Sequence, residues 1–297
     1  MTAHRSATSD RLWIVGAGRL GLALGLRLQR ARAVSSLVYS GRRRATPDHP
    51  LFRGFEPFAS YQVGCGVTPA GVDGLLIAVP DDAIERVVQE LAEARLSEGL
   101  PVLHASGSLS LDVLAPLAEQ GHSVGGMHVL AAIADPVDGA DRLRGATFGV
   151  EGEGAARALA ERLVAACGGR VLPIRPGGKA LYHAAAVFAS NYAVALLSVA
   201  ERLMAEAGVP AHDAQPALAA LAAGAVENVA TRGPANALSG PVARGDADTV
   251  ERHLARLSGA DRHLYCLLGL EALKLVEARG TDPAALARLR HLLGETR

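Results

Sequence analysis

The chain has 297 residues, a formal net charge of zero and a hydrophobic share of 49%. That length suits one large domain or two ordinary ones with ample core material, and the balanced charge points to neither nucleic acid nor an anionic membrane surface. Its three cysteines, Cys65, Cys167 and Cys266, are odd in number and far apart, which gives no disulfide framework and no metal spacing and suits a reduced cytosolic setting.

Residues 1–11 are polar, lack the apolar core of a secretion signal, and are expected to be a frayed tail. The first predicted strand is Leu12-Trp13-Ile14-Val15. It runs into Gly16-Ala17-Gly18-Arg19-Leu20-Gly21, and Leu22-Ala23-Leu24-Gly25-Leu26-Arg27-Leu28 follows with helical periodicity. A G-x-G-x-x-G gains meaning from this strand–turn–helix setting. The first glycine permits the tight turn and the second lets backbone approach a pyrophosphate. The third lets helix and strand pack closely, with the helix N-terminus facing the phosphates. A dinucleotide site is expected here, built from Gly16, Gly18, Arg19, Leu20 and Gly21.

The second strand, Ser36-Leu37-Val38-Tyr39, ends in Ser40-Gly41-Arg42-Arg43-Arg44. An NAD site usually places Asp or Glu about 20 residues beyond the glycines, whereas arginine accommodates a 2′-phosphate. No acid stands here. The guanidinium fork of Arg42 or Arg43 suits a phosphate, so NADP is the expected cofactor, against the alternative of a solvated basic loop.

Gly74 to Pro80 reads as a buried parallel strand, with Asp81-Asp82 as the expected cap of a helix from Ala83 to Glu93. Strands are predicted at Leu100 to His104 and Ser123 to His128. Thr147 to Val150 and Val171 to Ile174 follow as strands, with a helix from Ala155 to Cys167 between them. This alternation implies a doubly wound parallel sheet with helices on both faces. Ligands of such sheets sit beyond the carboxyl ends of the strands. Val79, Pro80, Asp81, Ser106 and His128 are therefore expected on the cofactor side. His104 ends a strand at the same edge. His128 is favoured over it because Gly125 and Gly126 allow close backbone approach.

After Pro176-Gly177-Gly178 no strand is predicted and alanine-rich helical periodicity runs to the C-terminus. Breaks are expected at Gly208-Val209-Pro210, Gly233-Pro234, Ser239-Gly240-Pro241 and Gly280. The layout is thus α/β then all-α: a tail over 1–11, a cofactor domain over 12–176 and a helical domain over 177–297. The run Ala184 to Ala200 is nearly all apolar yet interrupted by polar residues and shorter than the roughly 20 residues of a membrane span. A helix buried in a core or a subunit interface is expected instead.

Lys179 and His183, at i and i+4, share one helix face, and Asn191 flanks it. Proton donor and carbonyl polariser in a hydride transfer is one reading of the pair. A solvated first-turn lysine with a histidine in a domain seam is the other. Arg244 lies in the loop Leu238 to Asp246 and suits bidentate clamping of a substrate carboxylate. Asp246 or Asp248 suits capping of the helix that follows.

These segments resemble a known superfamily. The order of parts is similar to that of β-hydroxyacid dehydrogenases, ketopantoate reductases and pyrroline-5-carboxylate reductases, in which a Rossmann domain precedes a helical domain like the C-terminal one of 6-phosphogluconate dehydrogenase. Lys179-Ala-Leu-Tyr-His183-Ala-Ala-Ala-Val-Phe-Ala-Ser-Asn191 and Ser239-Gly-Pro-Val-Ala-Arg244-Gly-Asp246 resemble a bacterial branch described as Rossmann-like oxidoreductases with a C-terminal domain of unknown function. Some members of that branch serve as ketopantoate reductases. The resemblance implies that Lys179 matches the superfamily's catalytic lysine, while His183 stands where the wider superfamily has asparagine. It departs at His128-Val129, where the branch carries His-Pro.

The expected protein is a cytoplasmic NADP-dependent reductase without a metal, and a homodimer through its helical domain. Its substrate would be a small 2-oxo acid of the ketopantoate type. An imine such as pyrroline-5-carboxylate, a deazaflavin, and a non-catalytic NADP sensor stay open as alternatives.

Overall fold

The computed structural model describes residues 10–277 and 283–294. The chain packs as two compact units, one up to Ser190 and one from Asn191 onward. In chain order the first contains β1 (Arg11–Val15), α1 (Arg19–Arg30), β2 (Ser36–Gly41), β3 (Ala59–Val63), β4 (Gly74–Ile77), α2 (Asp81–Glu93) and β5 (Val102–His104). It continues with α3 (Ala115–Ala118), β6 (Val124–Val129), α4 (Pro136–Arg142), β7 (Thr147–Gly152), α5 (Gly154–Ala166), β8 (Arg170–Pro173) and α6 (Lys179–Ala189). Arg11, counted from sequence in the tail, instead opens β1, where its N–H donates to Asp73 Oδ2 at 2.9 Å. The rest of the expected tail, 1–9, lies outside the described residues.

One eight-stranded sheet runs in the order β3-β2-β1-β4-β5-β6-β7-β8. Apolar residues alternate between its faces as the pleat requires. Leu12, Ile14, Leu37, Tyr39 and Leu103 join a core with residues of α1, α4 and α5. Trp13, Val15, Val38, Leu75 and Val102 join a second core with Ile84, Val87, Val88 and Leu91 of α2. Helices on both faces make the sheet doubly wound, as expected. It is not uniformly parallel, because β7 runs antiparallel to β6. Sequence periodicity carries no strand direction, so this reversal was not legible. Strand β3 was also missed: only Ala59 of its five residues is buried, so it shows no apolar run.

By packing, the division between units falls after Ser190 rather than after 176. The start of α6 is drawn into the first unit because Lys179 pairs with Glu151 and Tyr182 bonds His128. The apolar run 184–200 is not one buried helix. It breaks at Ser190 (φ −121°, ψ −69°), and beyond the break no residue of α7 (Asn191–Glu206) is buried. By length and composition the 28-residue stretch 179–206 is apolar enough to cross a membrane, and none of its most apolar window is buried. An apolar surface states that something covers it, not what.

The second unit continues with α8 (Ala211–Ala237), α9 (Ala247–Leu254), α10 (Gly259–Glu277) and α11 (Pro283–Gly294). The expected break at Gly233 is present as a positive φ of 74° inside α8, while Gly280 lies outside the described residues. Val250, Leu254, Cys266, Leu273, Leu289 and Leu293 form its core. Asp246 caps α9 by accepting the Thr249 N–H at 3.0 Å.

Candidate active site

The carboxyl ends of β1, β2 and β4 open onto a cleft of about 320 Å³. Its floor depends on glycine for measurable reasons. Gly16 has φ +120°, and a Cβ there would fall 2.4 Å from the Ala78 carbonyl oxygen. A Cβ on Gly21 would stand 2.1 Å from the Gly16 oxygen, so only glycine lets α1 seat this close to the turn. Gly18 is the N-cap of α1 and makes no side-chain cap bond. The first N–H groups of the helix therefore face the cleft without a side-chain acceptor, the arrangement that receives a phosphate.

Gly16, Gly18, Ser40, Arg42, Arg43, Val79 and Pro80 line the cleft, as expected from sequence. Arg19, Leu20 and Gly21 are not among its walls; they form the first turn of α1 behind Gly18. Ser40 is fully buried, and its Oγ accepts the Trp13 indole N–H at 2.8 Å while its carbonyl accepts the Gly16 N–H at 2.8 Å. It fixes the end of β2 against the glycine turn. Arg42 and Arg43 are exposed, with no ion-pair partner among the described residues. Tyr61, Cys65, Arg86 and Glu90 also line the cleft and were not read from sequence. Arg86 is paired with Glu90, so the free positive charge of the cleft comes from the β2 end. Cys65 donates to Glu90 Oε2 at 3.0 Å, and burial with that bond pushes its thiol up to about 12, so it stays a neutral wall group.

Pro80, not Asp81, is the N-cap of α2. Asp81 sits in the first turn of that helix and accepts the Ser108 hydroxyl at 2.5 Å. Ser106 Oγ accepts the N–H groups of Ser108 and Leu109 at 3.1 and 3.0 Å, which shapes the turn after β5. Asp81, Ser106 and His128 thus lie outside the cleft walls. Asp81, Ser108 and Ser106 form a chain of contacts that leads to His104 in a second, buried cluster.

That cluster follows from strand register. His104 of β5 pairs with Gly126 of β6, and Gly126 pairs with Glu151 of β7. Register partners project to the same sheet face, so His104 and Glu151 flank the bare Gly126. Lys179, the first residue of α6, reaches this row: its Nζ donates to Glu151 Oε2 at 2.7 Å, with the lysine 3% and the glutamate 9% exposed. A Cβ on Gly126 would stand 3.0 Å from Lys179 Nζ, 3.4 Å from Glu151 Oε2 and 3.5 Å from His104 Nε2. No sequence signal marked Glu151, which falls just beyond the strand predicted over Thr147 to Val150 but inside β7 in the structure.

One turn further along α6, Tyr182 and His183 meet His128. His128 Nδ1 and the Tyr182 hydroxyl share a hydrogen bond of 3.0 Å, and the His128 and His183 rings pack edge to face at 5.7 Å. A Cβ on Gly107 would lie 2.5 Å from His183 Nδ1 and 2.7 Å from His128 Nε2, so both nitrogens converge on that glycine. Burial, then the charges of His183 and Lys179, hold His128 down to about 4. Burial, then the Lys179 charge, does the same to His104, also to about 4. Both imidazoles are neutral near pH 7. Burial raises the Tyr182 hydroxyl to about 12, so it keeps its proton. Among the described residues no group of histidine, cysteine or carboxylate side chains has the geometry of a metal site.

Lys179 and His183 are therefore brought together with His128. Asn191 and Arg244 belong to the second unit, where Asn191 starts α7 and Arg244 is exposed, 4.0 Å from Asp246.

Comparison with known proteins gives two domain matches. Residues 4–128 match a Rossmann-like domain, and residues 146–272 match a domain of unknown function, DUF2520. His104, Gly126 and His128 fall in the first segment, and Glu151, Lys179, Tyr182 and His183 in the second. No curated protein matches the chain. Among solved structures it is similar to protein TM1727 from Thermotoga maritima, at 22% identity and a TM-score of 0.67, covering 91% of this chain and 99% of that one. It is also similar to the Plasmodium falciparum pyrroline carboxylate reductase with NADP bound, at 12% identity and a TM-score of 0.56, covering 96% and 97%. A third similarity is to a reductive aminase from Aspergillus terreus in complex with NADPH and ethyl levulinate, at 18% identity and a TM-score of 0.55, covering 97% and 93%. The chain thus carries a Rossmann-like domain over residues 4–128 and a DUF2520 domain over residues 146–272, and it shares its fold with these solved structures.

Proposed function

We propose that this protein is an NADP-dependent reductase of small carbonyl compounds, with a 2-oxo acid of the ketopantoate type as the first substrate class to test. The observation that carries this reading is a buried lysine, Lys179, beside the strand edge that holds a glycine-floored, arginine-rimmed cleft. The cleft fits a dinucleotide phosphate at three points: the uncapped start of α1, the close approach that Gly16 and Gly18 permit, and the unpaired Arg42 and Arg43 for a 2′-phosphate. The neighbours from Plasmodium falciparum and Aspergillus terreus carry NADP and NADPH, which supports this cofactor.

When bound, the reduced nicotinamide supplies a hydride to the acceptor carbon. The residues here handle the other half of the reaction. As the C=O electron pair moves to oxygen, Lys179 Nζ gives that oxygen a proton, and Glu151 keeps the ammonium aimed and compensated in its buried place. His183 and the neutral His128, tied to Tyr182, form the adjoining wall and orient the acceptor. Arg244 is the candidate clamp for a substrate carboxylate, with Asn191 a further polar candidate.

Lys179→Ala tests the catalytic reading. It should abolish turnover while leaving NADPH affinity nearly intact; a variant that turns over normally would take Lys179 out of the mechanism, and a wild type that binds NADPH without turning over would mean a cofactor-binding sensor. A homodimer formed through the helical domain accounts for the exposed Val194, Leu221 and Val226. Sedimentation of the wild type against a Leu221→Glu/Val226→Glu variant checks this, with dimer expected for the first and monomer for the second. With the apolar helices covered in this way, the reductase would be a soluble cytoplasmic protein.

A further inference from the structure

His104 is fully buried, yet its ring is only half used. Its Nδ1 accepts the Ser106 backbone N–H at 3.2 Å. An imidazole nitrogen that accepts carries no hydrogen, so in the neutral ring the proton must sit on Nε2. That Nε2 is buried and has no hydrogen-bond partner among the described residues. A buried donor left unmet is destabilising and calls for an explanation.

The position of the orphan supplies one. His104, Gly126 and Glu151 are register neighbours on β5, β6 and β7, and the glycine, having no side chain, lets the polar ends of the surrounding side chains close over one backbone position. Lys179 Nζ and His104 Nε2 stand 3.0 and 3.5 Å from where the Gly126 Cβ would be. Glu151 takes one ammonium hydrogen, which leaves others to give. Two hydrogen-bond donors, one charged and one neutral, thus converge over one bare backbone position.

The geometry points to His104 and Lys179 as a two-donor cradle over Gly126 that binds one acceptor oxygen, which makes the substrate a carbonyl compound rather than an imine. A carbonyl oxygen has two lone pairs and takes both donors, and the second bond strengthens as charge develops on oxygen. An imine nitrogen has one lone pair and an iminium has none, so one donor would stay unmet. The held-down titration of His104 fits this role, because a neutral ring keeps the Nε2 hydrogen and does not compete with Lys179 for it. This inference deepens the proposed reductase activity and rests on it.

Two measurements test the cradle. Nitrogen-15 imidazole spectra of the full chain should show His104 as the Nε2–H tautomer at pH 7; an Nδ1–H or doubly protonated ring would overturn the inference with no activity needed. In turnover with NADPH, His104→Phe keeps the ring volume and removes the donor, and should lower kcat/KM for ketopantoate about 100-fold. His104→Gln, which restores an N–H at similar reach, should recover most of that loss. A His104→Phe enzyme within threefold of wild type, or a wild type that reduces pyrroline-5-carboxylate in preference to every 2-oxo acid offered, would refute the cradle. Titration of the wild type with NADPH alone separates the two claims. Failure to bind sinks the reductase reading, whereas binding with imine preference sinks only the cradle. Should His104→Phe fail to fold, the wild-type tautomer still decides.

Discussion

Replacing Lys179 by methionine removes one charge from a buried pair and keeps most of the side-chain volume. The partners are 2.7 Å apart, so their gross attraction at an effective dielectric of about 20 is about 6 kcal/mol. Desolvation of both ions offsets much of that, but the single variant strands Glu151, whose side chain is 10% exposed, without compensation. Breaking one side of such a pair destabilises by about 3–5 kcal/mol. For a unit of this size each kcal/mol lowers Tm by about 2–4 °C, which puts the loss at about 6–20 °C. Denaturant and thermal unfolding of the wild type, Lys179→Met and Lys179→Met/Glu151→Met measure it. The double variant removes both charges and should recover most of the deficit. A single variant within about 1 kcal/mol of wild type, or a double variant less stable than the single, would refute the account of this pair.

His104 and His128, held near 4 from an ordinary value of 6.5, predict how stability varies with pH. Above 6.5 both folded and unfolded rings are neutral. Below it the unfolded chain takes up protons that the folded chain refuses, so stability should fall between pH 6.5 and 4 by roughly 3 kcal/mol per histidine. Replacing either ring by phenylalanine should flatten that slope in urea melts at stepped pH, and an unchanged slope would argue against buried neutral rings. Arg42→Ala/Arg43→Ala should weaken NADPH about 10- to 100-fold and leave NADH unchanged by fluorescence titration; equal losses for both would place these arginines away from the 2′-phosphate. Gly21→Ala forces a Cβ to within 2.1 Å of the Gly16 oxygen, and should cost at least about 2 kcal/mol and abolish NADPH binding. A stable, NADPH-competent Gly21→Ala protein would contradict the turn geometry.

Much of the first unit was legible because its signals are local. The order of strands and helices, the glycine turn and the basic end of β2 each occupy one short stretch with its own periodicity or residue type. Strand direction is different in kind: β7 reads the same whichever way it runs, and only packing sets it against β6. Edge strand β3 escaped because its half-exposed residues form no apolar run. Within the site, Lys179 and His183 stood out by spacing on a helix. Glu151 did not, since its meaning comes from β-sheet register and from a lysine far along the chain. His104 was visible as a strand-end histidine, but its unmet Nε2 is a fact of tertiary structure. The run 184–200 misled in the same way, for apolar composition specifies a covered face and says nothing of the break at Ser190.

The most direct test of the reductase reading is a paired titration with NADPH and NADH, followed by absorbance loss of NADPH against 2-oxo acids and cyclic imines. The account predicts at least tenfold tighter NADPH binding and turnover on a 2-oxo acid. No binding of either nucleotide, or equal binding of both with no turnover, would contradict it.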